Sequence, residues 1–224
     1  MTKNKVLNKN LLTLDEALNQ LILASTEKPR KFIESVDVAI NLSIDAKQSS
    51  QMVKGSLVLP AGSGKKVRAI VLTGDESIQK DAIAAGAVEA GLDDLMAKIE
   101  QGFLDFDSVI ATPDVMQKVS KIARKLGPRG LMPSPKNGTV TTDVKKAIAD
   151  ALKGKVDYRN DKAGIVHCLA GKVNFSKEDL TSNIKAIVKS VKDAKPEAAK
   201  GRYIKNFYLN TTMGQSVAVA IDSL

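Results

Sequence analysis

The residues best suited to chemistry in this chain stand near its C-terminus, in the run Tyr203-Ile204-Lys205-Asn206-Phe207-Tyr208-Leu209-Asn210-Thr211-Thr212-Met213-Gly214. An amphipathic strand pattern there runs into two hydroxyls, a thioether and a glycine. Such groups at a strand end let a backbone or a sugar edge approach closely, and they include no acid or base suited to bond-breaking. The chemistry they offer is recognition, not catalysis.

Other stretches that could carry catalysis or a cofactor fail on particular residues. Ala61-Gly62-Ser63-Gly64-Lys65-Lys66 has the outline of a phosphate loop. A Walker motif, however, needs Ser or Thr where Lys66 stands and a glycine where Leu59 stands. The segment reads as a turn and hinge. His167 and Cys168 are the only residues of their types, and as neighbours on a strand they point to opposite faces, so they make neither a nucleophile–base dyad nor a zinc site. Asp93-Asp94 fits the start of a helix, where carboxylates offset the helix dipole. The sequence therefore predicts no enzyme, no metal and no cofactor.

These residues must be positioned by ordinary globular structure. The chain has 224 residues, is 43% hydrophobic, and carries 34 Lys and Arg against 25 Asp and Glu, a formal charge of +9. That size buries one large or two modest cores. By itself, the charge divides evenly between an anionic partner and a merely solvated surface. Cys168 has no second cysteine to pair with, which predicts a reducing, cytoplasmic setting. The opening MTKNKVLNKN predicts neither a secretory signal nor an anchor. No run approaches the roughly 20 apolar residues of a membrane span.

Thr13-Leu14-Asp15-Glu16 has capping-box spacing, and Leu14, Leu18, Leu21 and Ile22 share one helical face, so a helix is expected up to Pro29. Val36, Val38, Ile40, Leu42 and Ile44 alternate with polar or small residues, as in a strand buried on one face. A second strand is expected over Ser56 to Leu59. From Lys66 the pattern changes. The near-continuous apolar run Val67 to Leu72 suits a strand covered on both faces, and helices around 78–85 and 92–101 follow. A strand at 108–111 then leads through Thr112-Pro113 into one helix burying Val115, Val119, Ile122 and Leu126. Past the loop GPRGLMPSPKNG, a short strand at 139–141 and a helix over 143–152 are expected. Strands at 156–160, 165–173, 202–212 and 216–221 and a helix capped by Ser176 complete the chain.

The fold class expected is α/β: a discontinuous two-layer α/β sandwich, residues 1–65 and 156–224, interrupted by a Rossmann-like three-layer domain, residues 66–155. Gly62, Gly64, Lys65, Lys155 and Val156 would form a two-strand hinge. Charge follows the same division. Residues 1–65 carry nine basic and six acidic side chains and residues 156–224 eleven and seven, a net of +7, against 14 and 12, or +2, for the insert. Within the insert, residues 75–114 are acidic, and Lys118, Lys121, Arg124, Lys125, Arg129 and Lys136 follow as a basic group, a second and weaker anionic contact.

Several segments together resemble one family: Lys31-Phe32, Val53-Lys54-Gly55, Leu59-Pro60, Asp105-Phe106-Asp107, Ala111-Thr112-Pro113-Asp114, LGPRGLMP at 126–133, Arg159-Asn160-Asp161-Lys162 and Thr211-Thr212-Met213-Gly214. In this order, over essentially the whole chain, they look like the large-subunit ribosomal protein one family, the protein of the mobile ribosomal stalk. The resemblance implies two domains, the second inserted in the first. It also implies binding of large-subunit ribosomal RNA beside the tRNA exit site, contact with exit-site tRNA, repression of the protein's own operon mRNA, and a free protein that is monomeric.

By motif position the RNA surface would use Lys31, Phe32, Glu34, Ser35, Asn206, Thr211, Thr212, Met213 and Gly214, with Lys54, Lys162, His167 and Lys172 added around them. Lys31 would meet phosphates, Phe32 a ribose or base, and the hydroxyls and amide of Ser35, Asn206 and Thr212 the 2′-hydroxyls that distinguish RNA. The bland alternatives are a buried Phe32, core packing for Met213, a half-buried strand residue for His167 and a simple turn for Gly214. Ile33 replaces the family's common acidic residue, Lys54 its usual arginine, and Ala46-Lys47-Gln48-Ser49-Ser50 its arginine-rich stretch. Lysine does not reproduce arginine's bidentate phosphate contact. The competing class is a protein-interaction module with a solvated basic face, which would lack steep salt dependence in RNA binding.

Overall fold

The structure, a computed structural model, describes residues 11–46, 48–197, 199 and 201–223, without the side chains of Ser49, Lys136 and Ser223. The opening basic decamer, Lys47 and the Lys136 side chain, which figure in the sequence readings above, lie outside the described residues.

In chain order the strands are β1 (Ser35–Leu42), β2 (Lys54–Val58), β3 (Ala69–Leu72), β4 (Glu89–Gly91), β5 (Ser108–Ala111), β6 (Lys155–Arg159), β7 (Ile165–Lys172), β8 (Ile204–Thr211) and β9 (Val217–Val219). The α-helices are α1 (Leu14–Glu27), α2 (Glu76–Ala84), α3 (Asp93–Gln101), α4 (Met116–Val119), α5 (Ala123–Leu126), α6 (Val144–Leu152) and α7 (Lys177–Asp193). The mixture is α/β, as the alternating patterns predict. The residues fall into two compact units. The first comprises the described residues within Met1–Gly55, Leu59–Ser63 and Tyr158–Leu224, the second Ser56–Val58 and Gly64–Asp157.

The first unit is built on a four-stranded antiparallel sheet of order β7-β1-β8-β9. Along β1, Val36, Val38, Ile40 and Leu42 are buried and the residues between them half-buried, the period of two expected of a strand with one covered face. The cover is helical. Helix α1 lies against β8, β9 and α7, and α7 against β7. The capping box closes the start of α1: Thr13 Oγ1 accepts from Glu16 N at 3.4 Å, and Glu16 Oε2 accepts from Thr13 N at 2.9 Å. Helix α7 starts at Ser176, whose hydroxyl accepts from Asp179 N, and buries Leu180, Ile184, Ile187, Val188 and Val191.

Asn183, also on the buried face of α7, has no accessible surface. Its Oδ1 accepts from Ala61 N at 3.0 Å, and its Nδ2 donates to Gly62 O at 3.0 Å and to Ala170 O at 2.8 Å. One buried amide thus fastens the turn after β2 to both α7 and β7.

The second unit holds a parallel sheet of order β4-β3-β5. All of β3 is buried, because the sheet is covered on both faces. Ile70, Leu72, Val109 and Ala111 pack on one side with α3 and the segment through Leu126, while Val71 and Ile110 pack on the other with α2 and α6. Three readings of the sequence need adjustment here. β4, three residues without alternation, gives no periodic signal. The stretch at 139–141 reduces to a single bridge of Val140 with Ala111. The helix expected after Pro113 is broken into alternating α and 3₁₀ turns. The breaks fall where Val115 (φ −90°, ψ −3°) and Ile122 (φ −91°, ψ 2°) leave helical geometry and where Ser120 Oγ donates back to Met116 O.

Replacing Asn183 by leucine, similar in volume, takes the side-chain partner from one buried and two half-buried backbone groups and should cost about 2–4 kcal/mol in urea unfolding. Ser182→Ala, one residue away on the exposed side of α7, should stay within about 0.5 kcal/mol.

Candidate nucleic-acid interface

The sequence motif at 211–214 meets the start of β1. Thr212 Oγ1 accepts from Ser35 N at 3.0 Å, and Thr212 N donates to Ser35 O at 3.1 Å. Met213 N donates to Glu34 Oε2 at 3.3 Å, and Lys172 Nζ reaches Ser35 Oγ at 3.0 Å. Residues from three distant parts of the chain are thereby tied into one knot at one end of the sheet.

Buried and exposed members of the knot have different tasks. Glu34 is 4% exposed and Thr211 3%. Neither offers a surface. Glu34 holds the turn through Met213 N and lies 3.7 Å from Arg30 Nε. Thr211 fills the inside of the turn, where a Cβ on Gly214 would come within 2.1 Å of Thr211 Oγ1. Glycine at 214 is thus a demand of packing. What faces outward is Lys31, Phe32 (53% exposed), Thr212, Met213 (59% exposed) and the bare backbone of Gly214. Phe32 and Met213 therefore do not belong to the core. Of the departures from the family pattern, Ile33 is exposed beside them, and Lys54 is exposed on β2, outside the knot.

Below the knot extends the face of the sheet that the helices leave open. Register sets its rows. Ser35 faces Lys172, Asp37 lies between Leu169 and Asn210, Ala39 between His167 and Tyr208, and Asn41 between Ile165 and Asn206. Lys172 joins this face only because the ladder shifts between Val36 and Asp37. The bulge buries Ala170 and Gly171 in succession and turns the next side chain over. A Cβ on Gly171 would come within 3.0 Å of Leu180 Cδ2 and 3.1 Å of Phe175 Cδ2. Asn206 is exposed on the same face but six residues along β1 from Ser35, roughly 20 Å at 3.3 Å per residue.

His167 is exposed, not half-buried, with Nε2 3.8 Å from Asp161 Oδ2. Asp161 Oδ1 accepts from Ile165 N and Ala163 N, both at 2.8 Å, and these bonds hold its carboxyl below the usual range. Lys162 is exposed on the same turn. Cys168, next to His167, points into the core, where burial pushes its thiol up to about 12. Asp37 is the member that motif reading missed. Desolvation raises its carboxyl above the ordinary value, against the pull of Lys172 and His167. Its even spacing from Ser35 in the period-two pattern was the available signal.

Of the residues read as a hinge, Gly62 (φ +76°) and Gly64 (φ +68°) adopt the left-handed conformations that glycine allows. The Gly62 carbonyl is held by Asn183. Lys65 Nζ donates to Asp107 Oδ1 at 2.7 Å, and Lys155 and Val156 lie half-buried in β6.

Because folding disfavours the ionised form of Asp37, its contribution to stability is present at low pH and lost as pH rises through the raised folded value. Asp37→Asn should melt higher than the parent at pH 7. That advantage should disappear at about pH 3, below the ordinary aspartate value of about 3.9.

Residues 23–215 match the family described as ribosomal protein L1p/L10e. The chain is 50% identical over 216 residues to the large ribosomal subunit protein uL1 of Dechloromonas aromatica, covering 96% of this chain and 92% of that protein. It is 52% identical over 189 residues to the protein of the same name from Coxiella burnetii, with 84% and 81% covered. To the large ribosomal subunit protein uL1c of Rhodomonas salina it is 50% identical over 207 residues, with 92% and 87% covered. A match spanning both the knot and the second unit, at half identity or better, makes this chain a member of the ribosomal protein L1p/L10e family.

Proposed function

We propose that this chain, a structural protein of the large ribosomal subunit, works by binding large-subunit ribosomal RNA through the knot at Ser35 and Thr212 and the open sheet face beside it. The observation that carries this reading is the convergence of Ser35, Lys172, Thr212 and Met213 around a turn whose exposed backbone, at Gly214, has no side chain to keep a ligand away. Hydroxyls and backbone groups at such a place suit ribose 2′-hydroxyls and phosphates, and Lys31 and Lys172 supply counter-charge. Exposed Phe32 and Met213 offer apolar surface to a sugar or an unstacked base. Glu34 and Thr211 act from beneath as positioning residues.

On the same reading, the bound RNA makes the protein part of the mobile stalk beside the tRNA exit site, where it assists release of deacylated tRNA. An mRNA segment of the protein's own operon that imitates the ribosomal site would occupy the same surface and repress translation. The glycines at 62 and 64, with the β6 crossing at Lys155 and Val156, serve as the hinge that this motion requires.

Binding of a stalk ribosomal RNA fragment tests the proposal. Thr212→Val removes the acceptor of Ser35 N, and Gly214→Ala sets a methyl against Thr211 Oγ1. Each should weaken binding roughly tenfold or more, about 1.4 kcal/mol or more. Thr212→Ser should restore most of the loss. An operon mRNA fragment should compete for the same site. Folded variants that bind like the parent would sink the assignment.

A further inference from the structure

The second unit keeps an apolar patch on its outside. Helix α2 covers the sheet with Ala82, packs Ile78 and Ala85 beside it, and leaves Ile83 in solvent. The turn that follows, through Gly86 at φ +101°, buries Ala87 and leaves Val88 exposed at the entrance to β4. From the end of α6, Leu152 comes to the same place, its Cδ1 3.1 Å from where a Cβ on Gly86 would stand. Ile83 is 58% exposed, Val88 53% and Leu152 43%. Of the four large apolar side chains exposed among the described residues of this unit, three thus gather around one glycine, Val58 being the fourth. Single exposed apolar residues are ordinary, but a contiguous group marks a contact surface.

The patch borders a groove of about 720 Å³ at the carboxyl ends of β3 and β4, where open α/β sheets leave a crevice. Ile83 and Val88 line it together with Glu76, Glu89, Asp93 and Asp94. Two lysines also line it, and each is already paired: Lys98 Nζ lies 2.9 Å from Glu89 Oε2 and Lys118 Nζ 3.3 Å from Asp93 Oδ1. The carboxylates of Glu76 and Asp94, both exposed, have no hydrogen bond or ion pair among the described residues. Residues 75–114 carry ten acidic side chains against two lysines, in a chain whose net charge is +9. Such a surface repels phosphates and attracts cations. The sheet narrows the choice of cation. Strand β4 is the outermost of its sheet, and among the described residues no strand or bridge flanks its outer edge. An open edge is a template that a polypeptide backbone can extend.

We propose that this face docks a basic segment of a partner protein, one in which lysine or arginine alternates with aliphatic residues. The aliphatic side chains cover Ile83, Val88 and Leu152, the cations meet Glu76 and Asp94, and the backbone of the segment runs along β4. The inference does not depend on the RNA reading above, since none of these residues belongs to the knot or to the open sheet face.

The probe for the test is a synthetic peptide in which lysine alternates with valine, titrated into the isotope-labelled full-length chain. Amide signals within 74–98 and at Leu152 should shift, although the net charge of +9 opposes any cationic ligand. Ile83→Ser/Val88→Ser and, separately, Glu76→Gln/Asp94→Asn, each checked for unchanged thermal unfolding, should weaken peptide binding about tenfold. The control Glu100→Gln/Asp150→Asn removes equal charge outside the groove and should leave binding within about twofold. All these variants should bind a stalk ribosomal RNA fragment as the parent does. Spermidine binding as tightly as the peptide would show a site for small amines, and equal binding of a peptide with serine for valine would show that charge alone acts. Either result overturns the proposal. So does weakened RNA binding in the groove variants, which would make the face a nucleic-acid contact, and so do shifts confined to other residues or no binding of the peptide at all.

Discussion

Strand β1 is the constraint on which the first unit depends. It lies between β7 and β8, so its register fixes two ladders at once, and its alternation decides which residues meet the helices and which meet solvent. A slip of one residue would turn Val36, Val38, Ile40 and Leu42 outward and drive Ser35 and Asp37 into the core. At roughly 1.5–3 kcal/mol for each fully buried aliphatic side chain, such a slip would cost about 6–12 kcal/mol, as much as the whole stability of many domains. The apolar face of β1 therefore does more than hold the sheet together. It sets Ser35 at the height of Lys172 and within reach of Thr212, and so positions the exposed polar residues of the knot through side chains buried beneath the helices.

The knot shows how buried polar groups can direct exposed ones. A carboxylate with 4% exposure would be costly if it were unpaired. Glu34 accepts from Met213 N and faces Arg30, so its burial holds the turn in one geometry. Thr211 excludes every side chain but hydrogen from position 214. The outer surface then consists of backbone, one hydroxyl and one thioether, all on a rigid base. Groups held in this way lose little freedom on binding, and such preorganisation favours tight recognition by a small surface.

Periodicity made most of the fold legible. The alternation of β1, the capping box of α1 and the apolar run of β3 each have one physical cause, and each element stands where its pattern lies. What escaped was structure set by distant partners. β4 is short and depends on β3 for its pairing. The helix after Pro113 has the right buried face, but Ser120 and the geometry at Val115 and Ile122 divide it. Family motifs pointed to residues 31–35 and 206–214, yet motifs could not say that Glu34 and Thr211 work from inside. Nor could plain alternation place Lys172 beside Ser35, because residue 172 has the parity of the buried Val166, Cys168 and Ala170, and only the bulge reverses it.

Charge and hydrogen-bonding groups divide the labour of recognition along physical lines. Cations attract any polyanion and make affinity depend on salt, whereas uncharged donors and acceptors at fixed positions select shape and sugar chemistry. In the first unit the two kinds lie together, with the Lys172 ammonium 3.0 Å from the Ser35 hydroxyl and Thr212 Oγ1 on the Ser35 backbone. In the second unit Lys65, Arg68, Lys98, Lys118 and Lys145 are matched by neighbouring acids, while the exposed cations at 121–129 stand in a stretch without acidic residues. The net charge of that unit is small because acidic and basic residues nearly balance in number. Their separation still leaves a strong local field, which falls off over a Debye length of about 8 Å at physiological salt. Charge alone therefore gives attraction without choice, and any selectivity for sugar or shape must come from donors and acceptors held in place, as the hydroxyls of Ser35 and Thr212 are by the ladder and the turn around them.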